Sequence, residues 1–182
     1  MPGATPPAAV QAFIEPLKDA ISCVGIAHIT LSQGARKAVG KTHSWTLNDG
    51  SSPVRLSGGL SFHAGMRFEI QDRGQSEGRE RYRVSTREYI YSVTKRSRKI
   101  WEAHWHPLAL NSPIDIPHYH IGGTVLTEDG VYLARAHIPS PRVSIEQFVR
   151  FMIEQIGVAP HRDDWSEQLE RTESLFREHS SW

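Results

Sequence analysis

The spacing of apolar positions changes along the chain and divides it into three parts. Residues 8–24 carry apolar side chains at helical spacing, and Gly25 follows them as a typical end of a helix. From Leu60 onward the apolar period becomes two, which is the period of a strand. Residues 144–157 return to a helical stripe, with Ser144 in position to cap it. The pattern predicts a helix, then strands, then helices.

The two-residue period predicts a run of five strands separated by short turns. These strands are expected at residues 60–71, 82–94, 99–106, 118–126 and 131–138. Consecutive strands with short connections favour an antiparallel meander. A last helix is expected to begin at Asp163 or Asp164. We therefore predict an α+β fold whose N- and C-terminal helices pack on one face of the sheet, in a single domain over residues 1–182 with residues 1–7 loose.

Composition adds one local asymmetry to this picture. The chain is 38% apolar and 23% charged, with a formal net charge of +1, as expected for an ordinary globular domain. Residues 79–99 nevertheless hold eight Arg or Lys and only two acids, whereas residues 163–178 hold six acids and two Arg. The first of these segments is suited to an anionic partner.

Cysteine usage and hydropathy indicate the cellular compartment in which the chain is expected to reside. Cys23 is the one cysteine in the chain, so an internal disulfide and a cysteine-based zinc site are excluded. No apolar stretch approaches the roughly 20 residues needed to cross a bilayer, and the N-terminus has no basic and apolar leader. The chain is expected to be cytoplasmic and to have no membrane partner.

The candidate chemistry lies in two short His-aromatic-His sequences, His104-Trp105-His106 and His118-Tyr119-His120. Residues two apart on a strand point to the same face, so each pair presents two imidazoles on one side and its aromatic residue on the other. The same alternation in the fifth strand adds a histidine and an arginine. The predicted site on this face comprises His104, His106, His118, His120, His137 and Arg135.

The first interpretation of this face is phosphodiester cleavage without a metal or cofactor, chiefly of RNA. One histidine would accept the proton of the attacking hydroxyl, another would protonate the leaving oxygen, and a cation would stabilise the phosphorane. In this interpretation the five histidines are catalytic. The predicted substrate-binding residues are Arg87, Arg135, Lys95 and Arg96 for phosphates, and Tyr89 and Tyr91 for stacking on bases.

Two alternatives stay open. Several imidazoles on neighbouring strands suit zinc, iron, copper or nickel, which would make the protein a metal-dependent hydrolase or oxygenase. Glu102 is the one carboxylate placed on the same face, and the spacing typical of cupin metal sites is absent. The other alternative is a non-catalytic face that binds nucleic acid or protein. Gly122 and Gly123, next to the second pair, are expected either to admit a substrate to the backbone or to form a bulge.

Residues 82–123 resemble the TumE-like bacterial toxins of toxin–antitoxin systems. The resemblance rests on a Tyr/Arg-rich strand followed by two histidine pairs next to prolines. The residues concerned are Arg83, Tyr89, Tyr91, His104, His106, Pro107, Pro117, His118 and His120. It implies action on RNA and binding to a cognate antitoxin protein. The long N-terminal half and the eleven residues between the pairs differ from that family.

Overall fold

The structure, a computed structural model, describes residues 2–74, 79–107, 114–123 and 136–179. Strands in these ranges form one antiparallel sheet. They are β1 (Pro2–Gly3), β2 (Ile29–Leu31), β3 (Thr42–Leu47), β4 (Val54–Arg55), β5 (Leu60–Asp72), β6 (Tyr82–Lys95), β7 (Arg98–Trp105), β8 (His118–Ile121) and β9 (Ile138–Pro139). The helices are α1 (Pro6–Ser22), α2 (Ile145–Glu154) and α3 (Trp165–His179).

The strands lie in the order β2-β3-β5-β6-β7-β8-β9, with β4 paired to β5 and β1 paired to β6. From β5 to β9 each strand pairs with the next one along the chain, so this part of the sheet is the predicted meander. β5 and β6 are the longest strands and form the centre of the sheet. The histidine-bearing strands β7 and β8 lie beside them, toward one edge.

The helices cover one face of this sheet, because the alternating apolar residues of the strands all point to that side. The ring of Phe148 in α2 packs 5.8 Å from Phe62 and 5.6 Å from Tyr91, and Phe13 in α1 packs 5.4 Å from Phe68. Ser144 caps α2 in the predicted capping box with Gln147. The α+β prediction is confirmed, and the opposite face of the central strands is left without a covering helix among the described elements.

The N-terminal residues differ from the prediction of a loose segment. Pro2 and Gly3 pair with Arg83 and Tyr82 of β6. The missing side chain of Gly3 is what allows this contact, since a β-carbon there would lie 2.3 Å from the backbone nitrogen of Ala9. Gly3 therefore lets the start of α1 lie directly against the first strand.

Other differences concern the length and number of strands. β3 and β4 extend the meander on the side of β5, and their sequence has too short an alternation to predict them. β8 ends at Ile121 rather than at residue 126, and β9 is described only over Ile138–Pro139. The hairpin turn predicted at residues 128–130 lies outside the described residues.

Candidate metal centre

The pairing of β7 with β8 brings the two histidine sequences together. In the antiparallel register His104 lies opposite His118, and Glu102 lies opposite His120. The imidazole centroid of His104 is 4.1 Å from that of His118 and 4.7 Å from that of His120. His137, just before β9, adds a fourth ring, 4.4 Å from His120. The alternation therefore leads, as predicted, to one cluster on the face away from the helices.

The ring nitrogens of this cluster point inward. The Nε2 atom of His104 lies 2.5 Å from Nε2 of His118 and 2.9 Å from Nε2 of His120. One nitrogen from each of His104, His118, His120 and His137 can be chosen so that all four lie within 4.8 Å of one another. Side chains from three consecutive segments of the sheet thus aim at one small volume.

The carbonyl oxygen of Ile116 determines the tautomer of His118. Nδ1 of His118 lies 2.8 Å from that oxygen, and a carbonyl only accepts, so Nδ1–H is the donor. The neutral imidazole then has its lone pair on Nε2, which faces His104. Metal-bound histidines in proteins are oriented in the same way, because the ring nitrogen that does not bind the metal donates its hydrogen to a carbonyl or a carboxylate. His118 is fully buried, which holds the ring in this orientation.

Glu102 has a comparable role behind His104. Its Oε1 atom lies 3.7 Å from Nδ1 of His104 and accepts a hydrogen bond of 2.5 Å from Lys99 Nζ. The carboxylate is buried, so the ion pair with Lys99 compensates a charge that would be costly alone. Glu102 therefore faces Nδ1 of His104, the ring nitrogen that points away from the other histidines, and does not point into the cluster itself.

Burial favours the uncharged form of three imidazoles of the cluster, those of His104, His118 and His120. Burial, followed by the neighbouring rings of His118, His120 and His106, lowers the pKa of His104 to about 3. The pKa values of His118 and His120 are lowered as well, mainly by burial, with a further contribution from His137. A neutral imidazole has the lone pair that a metal requires, whereas the protonated form has none.

Hydrogen bonding alone accounts poorly for the three converging nitrogens. Nε2 of His118 is an acceptor, so a hydrogen on Nε2 of His104 would have to serve both His118 and His120. A cation between the rings would instead accept a lone pair from each. A tetrahedral zinc ion, about 2.0–2.1 Å from each nitrogen, requires nitrogens about 3.3–3.4 Å apart. The rings would need to open by less than about 1 Å to reach that separation.

His106 lies beside the four converging rings without joining them. Its centroid is 4.8 Å from His104 and 5.8 Å from His118, and its Nδ1 atom is buried with no hydrogen-bond partner in the described parts of the chain. All five predicted histidines are thus neighbours. Four of them converge on a common point, and His106 forms the side of the cluster that faces β6.

Three of the predicted phosphate-binding cations are described by the structure, and they lie away from the histidines. The guanidinium of Arg87 pairs with Glu69, at 2.6 Å between Nη2 and Oε2. Lys95 and Arg96 lie at the β6–β7 turn, where Lys95 is opposite Arg98. That turn is six residues along β7 from His104, or about 20 Å at the usual rise of a strand. Arg135 lies outside the described residues.

The two tyrosines predicted to stack on bases lie on the other side of the sheet. Tyr89 is 3% exposed and Tyr91 is 1% exposed, and their rings stack on each other at 5.0 Å. The hydroxyl of Tyr89 accepts a hydrogen bond from the backbone nitrogen of Val143. Both belong to the core beneath α2, so they do not reach a substrate bound at the histidines. The same alternation that places Ile90 on the open face accounts for this position.

Two contributors to the site were not predicted from the sequence. The backbone carbonyl of Ile116 has no sequence signal, because any residue has one. Lys99 lies three residues before Glu102, a spacing that puts two residues on opposite faces of a regular strand. The bulge between Val93 and Thr94 brings Lys99 to the side of Glu102, and the sequence gives no sign of that bulge.

No helix in the described ranges has the length and apolar character needed to cross a bilayer. Comparison of the chain with protein-family models, with curated proteins and with solved structures finds no match. The geometry of the histidine cluster is therefore the principal evidence on function.

Proposed function

We propose that the protein is a metal-dependent hydrolase whose transition-metal ion is bound by His104, His118 and His120, which leaves one coordination position for water beside His137. The observation that carries this proposal is the convergence of uncharged ring nitrogens on one point, with His118 oriented from behind by a backbone carbonyl. Imidazole ligands suit zinc, copper, iron and nickel.

The all-imidazole ligand set favours hydrolysis over oxygen chemistry. Non-haem iron oxygenases typically use two histidines and one carboxylate. Among the described residues the nearest carboxylate is that of Glu102, which is bound to Lys99 and faces Nδ1 of His104. Three histidines and an open position are the ligand set of hydrolytic zinc, which lowers the pKa of a bound water to about 7 and supplies hydroxide near neutral pH.

Metal-free cleavage of RNA is less well supported by the same geometry. That mechanism needs one protonated histidine as the general acid, and burial lowers the pKa of His104 to about 3. It also needs cations at the phosphate; of the predicted ones that the structure describes, Arg87 is paired with Glu69, and Lys95 and Arg96 lie at the far end of β7. Cleavage of RNA and binding of an antitoxin remain predictions from the sequence.

Replacing one ligand is expected to remove the metal. In His120→Ala the cluster loses one converging nitrogen from a half-buried ring. We expect wild-type protein, purified without a histidine tag, to contain about one transition-metal ion per chain, and His120→Ala to contain less than about a tenth of that. Elemental analysis by mass spectrometry measures both, after dialysis against the same metal-free buffer.

His63→Ala is the matched control. His63 is an exposed histidine of β5 on the same open face, opposite Ser92. Its removal should leave the metal content unchanged. Wild-type protein that contains no metal and does not bind added zinc, or equal metal contents in His120→Ala and wild type, would contradict the proposal. Circular dichroism of each variant shows whether the fold is retained.

Glu102→Gln tests whether the carboxylate that faces Nδ1 of His104 supports metal binding. The substitution keeps the size of the side chain but removes the charge that faces Nδ1 of His104 and pairs with Lys99. Loss of such an outer partner typically lowers metal affinity by about 10–100-fold. We expect a decrease in this range in a zinc titration against a chromogenic chelator. An unchanged affinity would show that Glu102 supports the strand and not the ligand.

A further inference from the structure

A shallow groove begins at the histidine cluster and crosses the open face of the sheet. Its volume is about 330 Å³, within the usual range of ligand sites. His104 and His106 line one end, and Thr46 of β3 lines the other. The groove is therefore continuous with the proposed metal centre and leads away from it across β6 and β5.

One row of the sheet makes the floor of the groove. In the antiparallel register Thr46 is opposite Gly65, Gly65 is opposite Ile90, and Ile90 is opposite His104. Gly65 has no side chain to fill the space between its neighbours. Ile90 is 46% exposed. The floor therefore offers the apolar side chain of Ile90 beside the gap at Gly65.

The groove has no net charge among its described lining residues apart from the histidines. Arg67 and Glu88, on the same side as His106, are its charged pair, with 3.1 Å between Nη1 and Oε1. The opposite charges of this pair cancel, so the described lining offers a polyanion no excess of cations. An uncharged substrate needs none, and its apolar part is stabilised by contact with Ile90.

We propose that the groove binds an uncharged carboxylic ester with an apolar acyl chain as the substrate of the metal centre. This inference rests on the proposed hydrolase function and specifies its substrate class. Water adds its oxygen to the acyl carbon, and the bond from that carbon to the alcohol oxygen breaks. One water proton goes to the alcohol and the other to solvent, so the products are an alcohol and a carboxylate.

The test uses zinc-loaded, untagged protein and three chromogenic probes. For each probe, kcat/KM is divided by the second-order rate constant of zinc ion in buffer. We expect this ratio to be at least tenfold larger for the neutral ester 4-nitrophenyl butyrate than for the anionic diester bis(4-nitrophenyl) phosphate. Butyrate should also exceed 4-nitrophenyl acetate by about tenfold, because two more methylene groups are buried. Rates are corrected for the same zinc concentration in buffer.

Two variants examine the floor of the groove. Gly65→Val places a side chain over the floor, with its β-carbon 3.3 Å from the carbonyl oxygen of Trp45 and 4.0 Å from Ile90. Ile90→Ser removes the apolar surface without adding bulk. Both should abolish the preference for butyrate over acetate while keeping one zinc per chain. Thr94→Val, on the same strand and face but outside the groove, should behave as wild type.

The outcomes separate this inference from the function on which it rests. A zinc-bound protein that prefers the phosphate diester, hydrolyses no probe, or retains its acyl preference in both floor variants overturns the ester proposal and leaves the metal centre intact. A protein that hydrolyses the esters equally well after removal of zinc overturns the proposed metal-dependent hydrolase. Preference for butyrate that is lost in both floor variants supports the proposal.

Discussion

Gly122→Ala is expected to eliminate the metal centre while leaving most of the sheet folded. Gly122 directly follows β8, and its backbone nitrogen donates a 2.8 Å hydrogen bond to the carbonyl of Ile100. A β-carbon on residue 122 would lie 1.7 Å from the carbonyl oxygen of Lys99 and 2.4 Å from its carbonyl carbon. These atoms belong to backbone, so no side-chain rotation relieves the overlap.

β8 must therefore move away from β7 in this variant. The cluster depends on that pairing, since His104 comes from β7 and His118 and His120 come from β8. Relief of this overlap moves β8 by more than the opening of about 1 Å that the ion requires, so the three nitrogens are then too far apart to bind one ion at about 2.0–2.1 Å each. We expect zinc affinity to fall at least 100-fold. The free energy of unfolding should fall by about 4 kcal/mol, at the upper end of single substitutions.

Zinc titration and chemical denaturation measure the two effects, and hydrogen exchange localises them. Amides of β5 and β6 should remain protected, because their pairing and their contacts with α1 and α2 do not involve β8. Gly40→Ala is the control: Gly40 has a φ of +70° and nothing near its missing β-carbon, so alanine there brings backbone strain without a clash. Stoichiometric, tight zinc binding by Gly122→Ala would refute the prediction.

The sequence predicted the histidine face well because that face depends only on alternation. Trp105 and Tyr119 carry large apolar rings at the positions between the histidines. Burying them under α2 obliges the imidazoles to point the other way. Trp105 is 8% exposed and Tyr119 is packed against Trp101, as this reasoning requires. Which residues of one strand share a face can thus be predicted from the sequence of that strand alone.

Other features of the site depend on how neighbouring strands pair, and the sequence does not show the register of that pairing. Alternation places Tyr89 and Tyr91 on the same face of β6 without showing which face that is, and their basic neighbours suggested a nucleic-acid surface. Only the pairing of β6 with β5 and β7 shows which face they occupy. Likewise Gly122 was expected to admit a substrate or form a bulge. In the structure it instead admits the backbone of the neighbouring strand, a contact between residues more than twenty positions apart.

A second large effect is expected from Glu146, a buried carboxyl in the first turn of α2. Glu146 is 1% exposed, and its Oε2 atom has no hydrogen-bond partner among the described residues. Burial raises the pKa of this carboxyl from 4.5 to about 7; hydrogen bonds from its own backbone and from Ser144 oppose the shift, and Glu173 adds to it. Folding therefore favours the protonated form.

The sign of the pH dependence follows from proton binding. Between about pH 4.5 and pH 7 the folded protein retains a proton that the unfolded chain releases, so the free energy of unfolding contributed by Glu146 falls as the pH rises. Below pH 4.5 both states hold the proton, and above pH 7 neither does. The full loss is on the order of 3 kcal/mol, from 1.36 kcal/mol per pKa unit.

Glu146→Gln should remove this dependence, because an amide has no charge to bury at any pH. The unsatisfied amide group adds a constant cost of about 1–3 kcal/mol, which leaves the slope unchanged. We therefore expect the stability of the variant relative to wild type to rise by about 2–3 kcal/mol between pH 5 and pH 8, as measured by urea denaturation. Glu167→Gln, in the exposed first turn of α3, is the control for replacing a glutamate that folding leaves exposed. If the free energies of unfolding of Glu146→Gln and wild type changed with pH in parallel, the carboxylate would have a compensating partner in the folded protein, which would contradict the prediction.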